Sequence, residues 1–190
     1  MPRKRIYLAG PEVFLPNALA IGRMKAELCA AAGFEGAFPL DQSLDLAGLS
    51  KAEQARCISL ANEALMRTCD LLIANMTPFR GVSMDGGTAF EIGFMRALGR
   101  PVLGYSNVLP DYRTRAEAFR TRGIPSGDSD RMDVEIEDFG LPENLMMAVA
   151  IAESAVSVQV HAASPGDEMT DLTAFARCLE AARRITASDS

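Results

Sequence analysis

A phenol and two carboxylates are the side chains that this sequence sets apart for chemistry. Asp85 and Glu91 lie six residues apart in DGGTAFE. They follow an apolar run, Leu71-Leu72-Ile73-Ala74, and a loop containing Pro78 and Gly81. Asp85 precedes Gly86-Gly87-Thr88, where it is placed to cap a helix by accepting its free N–H groups. Glu91 falls in an otherwise apolar helical face of Ala89, Phe90, Ile92, Phe94 and Met95. A carboxylate embedded there needs a partner or has a chemical role; the plainer reading is a glutamate at the edge of an amphipathic helix. Tyr7 interrupts the apolar run Ile6 to Ala9, either as a core tyrosine or as a phenol with a polar partner. There is one histidine, His161, and no G-x-S-x-G, P-loop or dinucleotide fingerprint. Carboxylates and a phenol on an apolar platform suit displacement at a sugar C1. The transition state there resembles an oxocarbenium ion, and a carboxylate can bond to the sugar covalently.

The elements that must position these groups read as alternating strands and helices. Arg5 to Ala9 is a short strand, apolar on both faces as a central strand should be. Pro16 to Ala32 follows as a helix, with Leu19, Ile21, Met24 and Leu28 on its buried side and Gly33 as its stop. Phe34 to Phe38 is a second strand. Ser50 to Glu53 forms a capping box for a helix to Thr68, with Ile58, Leu60, Ala61, Leu65 and Met66 as its buried stripe. Asn62 falls inside that stripe, facing either solvent or a polar pocket. Asp70 to Asn75 is the third strand, Gly86 to Leu98 a helix closed by Gly99, and Pro101 to Tyr105 the fourth strand. Such an alternation, with connections of helix length, implies a parallel sheet with right-handed crossovers.

Beyond Tyr105 the pattern is less regular. Loop is expected from Asn107 to Arg115, a short basic helix to Arg122, and a long excursion from Gly123 to Phe139. A helix restarts near Leu141, with Pro142 suited to its first turn. Val156 to Val160 fits a fifth strand or the end of that helix. Met169 to Ile185 reads as a last amphipathic helix, with Leu172, Phe175, Ala176, Leu179 and Ala182 on one stripe.

The chain has 190 residues, 48% hydrophobic and 23% charged, which fits one globular domain. A net charge of −6 argues against nucleic acid or an anionic membrane as partner. The four cysteines show neither C-x-x-C pairing nor metal-like clustering with His161, so reduced thiols and no metal or cofactor are expected. Ile6 to Ala9 is too short for a signal-peptide core, and no apolar run reaches membrane-spanning length. A soluble, cytoplasmic chain is the expectation.

One resemblance joins these pieces. Ile6 to Phe14 (IYLAGPEVF), Ala74-Asn75-Met76, Asp85 to Gly93 (DGGTAFEIG) and Pro142 to Met146 (PENLM) together resemble the nucleoside 2-deoxyribosyltransferases. The resemblance covers Arg5 to Glu153 in order and spacing. It implies a flavodoxin-like three-layer α/β/α fold with a parallel sheet of four or five strands. It also implies exchange of the base of a 2′-deoxynucleoside for a free nucleobase in two steps. On that resemblance Glu91 is the nucleophile at C1′, Tyr7 hydrogen-bonds to it, and Asp85 holds the sugar hydroxyls. Gly10, Phe14 and Asn75 fall in the substrate-binding motifs, and Asp41 and Gln42 in the region lining the base pocket. Asn144 and Met146 match the motif that reaches a neighbouring subunit's site, which implies a homo-oligomer.

Some members of that family carry a base-facing aspartate where this chain has Asn62. An amide hydrogen-bonds a base but is no comparable general acid. Protonation of the leaving base would then come through water or Asp41, favouring purines. Three functions compete at this stage: transfer between deoxynucleosides, N-glycoside hydrolysis of deoxynucleosides or their 5′-monophosphates, and non-catalytic nucleotide sensing. The first loop, Gly10-Pro11-Glu12, offers a proline without an N–H and an added negative charge. Both favour nucleosides over nucleotides, although Arg80 offers a cation that could approach a phosphate.

Overall fold

The computed structural model describes residues 2–121 and 135–187 of the chain. Strand β1 (Arg5–Ala9) is followed by α1 (Ala18–Ala31), β2 (Glu35–Ala37), α2 (Lys51–Arg67), β3 (Leu71–Asn75), α3 (Gly86–Ala97) and β4 (Val102–Ser106). Helices α4 (Tyr112–Thr121) and α5 (Leu145–Ser154), strand β5 (Gln159–Val160) and helix α6 (Thr173–Ala187) complete it. The strands form one sheet in the order β2-β1-β3-β4-β5, and every neighbouring pair is parallel. This is the flavodoxin-like order, in which the chain reverses direction across the sheet between β1 and β3.

Side-chain alternation sorts the central strands into two cores. Ile6, Leu8, Ile73, Leu103 and Tyr105 face α1 and α6, meeting Cys29, Phe175 and Leu179. Tyr7, Ala9, Leu72, Ala74 and Val102 face the other way, towards Ile92 and Met95 of α3 and Ile151 of α5. Each large apolar side chain fully buried this way contributes about 1.5–3 kcal/mol. Tyr7 is therefore delivered to the α3 side by its odd place in a strand of period two.

The choice at Val156 to Val160 resolves as the short strand β5, paired through Gln159 and Val160 with Tyr105 and Ser106. Helix α4 starts at Tyr112, inside the stretch expected as loop. Of the expected excursion, residues 123–134 lie outside the described residues. Asn144 caps α5, so Pro142 stands before the helix rather than in its first turn.

Three amphipathic stripes differ from expectation. On α2 only Met66 is fully buried, while Ile58 and Leu60 are 41% and 48% exposed. The helix leans chiefly on α3 instead of lying over the sheet, which leaves its apolar residues outside. On α1 the buried residues are Ala18, Ile21, Gly22, Lys25 and Cys29, with Leu19 and Met24 exposed. Gly22 makes room for the Phe38 ring on that face, where a Cβ would stand 2.5 Å from Phe38 Cδ1. On α3, Ile92 and Met95 are buried, but Phe90 turns outward beside Phe94. Among the described residues no helix is long and apolar enough to cross a membrane.

Candidate active site

Tyr7 and Glu91 meet at the C-terminal side of the sheet, on the α3 face. The Tyr7 hydroxyl donates to Glu91 Oε1 at 2.6 Å. Tyr7 is wholly buried in the middle of β1, so the phenol is fixed by the sheet. Glu91 sits one turn into α3 and keeps partial exposure. Its other oxygen accepts no hydrogen bond from a described residue, so one oxygen is held and the other is available. Burial is the main cause that raises the Glu91 carboxyl to about 7. The Tyr7 bond opposes that rise, while the charges of Asp85 and Glu12 add to it. Burial, and then the negative charge of Glu91, push the Tyr7 phenol far above its usual range, so it stays a donor.

Asp85 is the N-cap of α3, accepting from the Thr88 N–H at 3.1 Å through Oδ2. Only that oxygen is used in the cap, and Asp85 is partly exposed. Its charge reaches Glu91, which ties the two acids to one site. The loop before it is welded to the Asn144 segment by Glu143, a residue the sequence did not single out. Glu143 is 1% exposed. It accepts from the Ser83 hydroxyl at 2.5 Å, Met84 N–H at 3.0 Å and Asn144 N–H at 3.0 Å. Arg115 completes the knot, donating to Glu143 at 3.3 Å and to the carbonyls of Val82, Pro110 and Pro142.

Beneath the β1 and β3 ends lies a buried network that the sequence reading missed. Glu12 and Lys25 are both 0% exposed and form an ion pair. The same oxygen, Glu12 Oε1, accepts from Asn75 Nδ2 at 2.9 Å and from the Tyr105 hydroxyl at 3.1 Å. Asn75 is thereby committed to the interior, its side-chain Oδ1 accepting from Thr77 N–H at 3.0 Å. Gly10 leaves room for Glu12: a Cβ at position 10 would stand 1.9 Å from Glu12 Oε2 and 2.9 Å from Asn75 Cβ. The charge of Glu12 is turned inward and matched by Lys25. The sequence-based case against a phosphate loses its second reason, and only the missing N–H of Pro11 stands. One signal was present in the sequence: Lys25 falls on the spacing Ala18, Ile21, Lys25, Cys29, a helical stripe otherwise apolar.

A polar group follows β2. Gln42 Nε2 donates to Asn62 Oδ1 at 3.2 Å and to Pro39 O at 3.3 Å. Asn62 thus turns towards a polar partner instead of solvent. Asp41 is exposed and accepts from Phe38 N–H at 3.3 Å. Phe14, 53% exposed, stacks on Phe79 across the mouth between the β1 and β3 loops, 5.5 Å between ring centroids. Asn144 hydrogen-bonds to none of these groups within the described residues. Its amide is spent on the α5 cap, accepting from Met146 N–H at 3.0 Å and donating to Glu137. Met146 is 70% exposed. A cavity of about 450 Å³ opens between the β3–α3 loop and α4, lined by Val82, Arg115 and Phe119 among others; it does not contain the Tyr7–Glu91 pair.

Residues 6–146 match the family described as nucleoside 2-deoxyribosyltransferase. A Schizosaccharomyces pombe protein, described as uncharacterized protein C191.05c, is 32% identical over 155 residues, covering 74% of each chain. Among solved structures, the 2-desoxiribosyltransferase from Leishmania mexicana is 28% identical with a TM-score of 0.62, over 93% of this chain and 97% of that one. A conserved protein from Enterococcus faecalis V583 is 19% identical with a TM-score of 0.55, over 96% and 99% of the two chains, a likeness of fold.

Proposed function

Because the chain belongs to the nucleoside 2-deoxyribosyltransferase family, we propose that it exchanges the base of 2′-deoxynucleosides through a covalent glycosyl–Glu91 intermediate. The free oxygen of Glu91 attacks C1′ as the base departs, giving a sugar ester; a second base then attacks C1′ and returns the carboxylate. The observation that carries this reading is the Glu91 carboxylate itself, with one oxygen held by Tyr7 and the other accepting from no described residue. Its raised basicity makes it a better nucleophile than an ordinary carboxylate once ionised. Tyr7 orients the group in the first step and stabilises it as leaving group in the second. Asp85, with one oxygen outside its cap, would hold the sugar hydroxyls. Gln42 and Asn62, paired to each other, would present amide groups to the base, and Phe14 a ring to stack on.

We further propose that a neighbouring copy completes the site. Phe90, Val149 and Met146 are 55%, 46% and 70% exposed on α3 and α5, with Ile58 and Leu60 on α2. An exposed apolar surface of this extent suits an interface.

The decisive experiment supplies a deoxynucleoside and a second free base and separates the products. A swapped nucleoside is expected. Free base alone would mean that water takes the sugar, and no turnover would leave only a binding role. A 2-fluoro-substituted donor, whose ester breaks down slowly, is expected to leave a sugar adduct on the peptide containing Glu91. Glu91→Ala is expected to fold normally and lose nearly all turnover; full activity in that variant removes the mechanism.

A further inference from the structure

Breaking the bond at C1′ sends its electron pair away with the base, and Asn62 has no proton to give at neutral pH. Asp41 is exposed and its carboxylate is anchored to its own turn. Arg80, in the loop after β3, is the other candidate. Among the described residues it is the one non-glycine position with φ in the left-handed region, at 58°. Long side chains adopt that backbone only under constraint, and such positions concentrate at functional sites. The turn is closed by Phe79 N–H donating to Ser83 O at 2.9 Å.

The guanidinium carbon of Arg80 lies 4.7 Å from the Phe14 ring centroid and 4.6 Å from that of Phe79. The rings are 12° from parallel, so the cation rests on a shared aromatic surface. Phe14 and Phe79 come from the loops after β1 and β3, at the crevice where α/β sheets of this order bind ligands. The contrast with Arg115 is informative. That guanidinium is filled by three carbonyls and Glu143, whereas no described residue accepts a hydrogen bond from Arg80. A permanent charge and five N–H donors are left over at the mouth of the site.

We propose that Arg80 is a catalytic residue of the glycosyl transfer described above, hydrogen-bonding the departing nucleobase and balancing its negative charge. The inference rests on that reading of the reaction. A Glu91 oxygen bonds to C1′ as the C1′–N bond breaks, and the bond pair leaves on the base as an anion held against Arg80. The guanidinium keeps its own protons. Water then protonates the released base, and the hydroxide is taken up by buffer. In the second half the incoming base loses its proton to solvent, is held as an anion on Arg80, and attacks C1′ while Glu91 leaves as a carboxylate. Catalysis of this kind comes from a donor fixed in advance where charge develops.

The test compares two donors, 2′-deoxyadenosine and 7-methyl-2′-deoxyguanosine. The base of the second is already cationic and departs neutral. Arg80→Met retains length and contact with the rings but removes charge and donors. Its kcat/KM on 2′-deoxyadenosine is expected to fall on the order of 100-fold, with a change of less than about threefold on the methylated donor, and added guanidinium ion is expected to restore part of the loss. An equal loss on both donors would show that Arg80 only packs against Phe14, and no loss on either would show that it does nothing for the base; both overturn the proposal. A wild-type protein that turns over neither donor overturns the transfer reaction itself, and this inference with it.

Discussion

Glu91 is raised by burial, raised further by Asp85 and lowered by Tyr7, and each of these effects can be removed separately. The nucleophile must be ionised, so kcat/KM is expected to fall on the acid side of about pH 7. Tyr7→Phe deletes the donor that favours the charged form, which moves the acid limb to higher pH. A hydrogen bond to a charged group is worth about 1.5–3 kcal/mol, so the rate should drop by about 10- to 150-fold. Asp85→Asn deletes a repelling charge and moves the limb to lower pH, while weakening sugar binding as a higher KM. The measurement is the pH dependence of kcat/KM for the three proteins. Limbs that stay together, or move in the same direction, would contradict Glu91 as the ionising nucleophile. Tyr7, Asp85 and Glu91 were legible in the sequence because each breaks an apolar pattern or occupies a cap. Arg80 was visible only as a cation in a loop, since Phe14, one of the two rings it rests on, is distant in sequence and its backbone angle leaves no mark in composition.

At the scale of elements, the loop after β1 is set by charge as much as by packing. Glu12 joins α1, β3 and β4 through Lys25, Asn75 and Tyr105. Removing one partner of a buried ion pair leaves the other uncompensated, which costs about 3–5 kcal/mol, whereas replacing both with apolar groups is often neutral. Lys25→Met is therefore expected to lower the melting temperature sharply, and the pair Glu12→Gln with Lys25→Met, which removes both charges but keeps an acceptor for Asn75 and Tyr105, to recover most of it. Thermal unfolding of the single and double variants checks this. A double variant no better than the single one would place the stabilisation elsewhere.

The same elements show where sequence reading reached its limit. The first four strands and their parallel pairing follow from apolar runs and connection lengths, the order across the sheet came with the family resemblance, and the Ser50 and Asp85 caps follow from local chemistry. The stripes of α1 and α2 did not. A lysine in a helix reads as solvent-facing unless its partner is known, and Glu12 lies on a loop. The α2 stripe is apolar without being covered by its own sheet, and a helical period does not say what lies opposite it.

At the scale of the molecule, the exposed residues of α2, α3 and α5 and the outward Met146 are what a second copy would cover. On the shared-site proposal, inactive Glu91→Ala mixed with an inactive Asn144 variant under subunit exchange is expected to regain partial activity. Mixed assemblies would then contain some sites with both intact residues. No recovery despite proven exchange, or full activity in a dilute monomer, would show that each chain builds its own site. The Glu143 knot then acquires a second meaning. One carboxylate holds both the Ser83-Met84 loop that presents Asp85 and the backbone of Asn144. On the shared-site proposal, a sugar that tightens one site would pull on the cap offered to the next, and by thermodynamic linkage the effect would run equally in both directions. Substrate binding by such an assembly would be cooperative, with a Hill coefficient that returns to one when Glu143 is replaced.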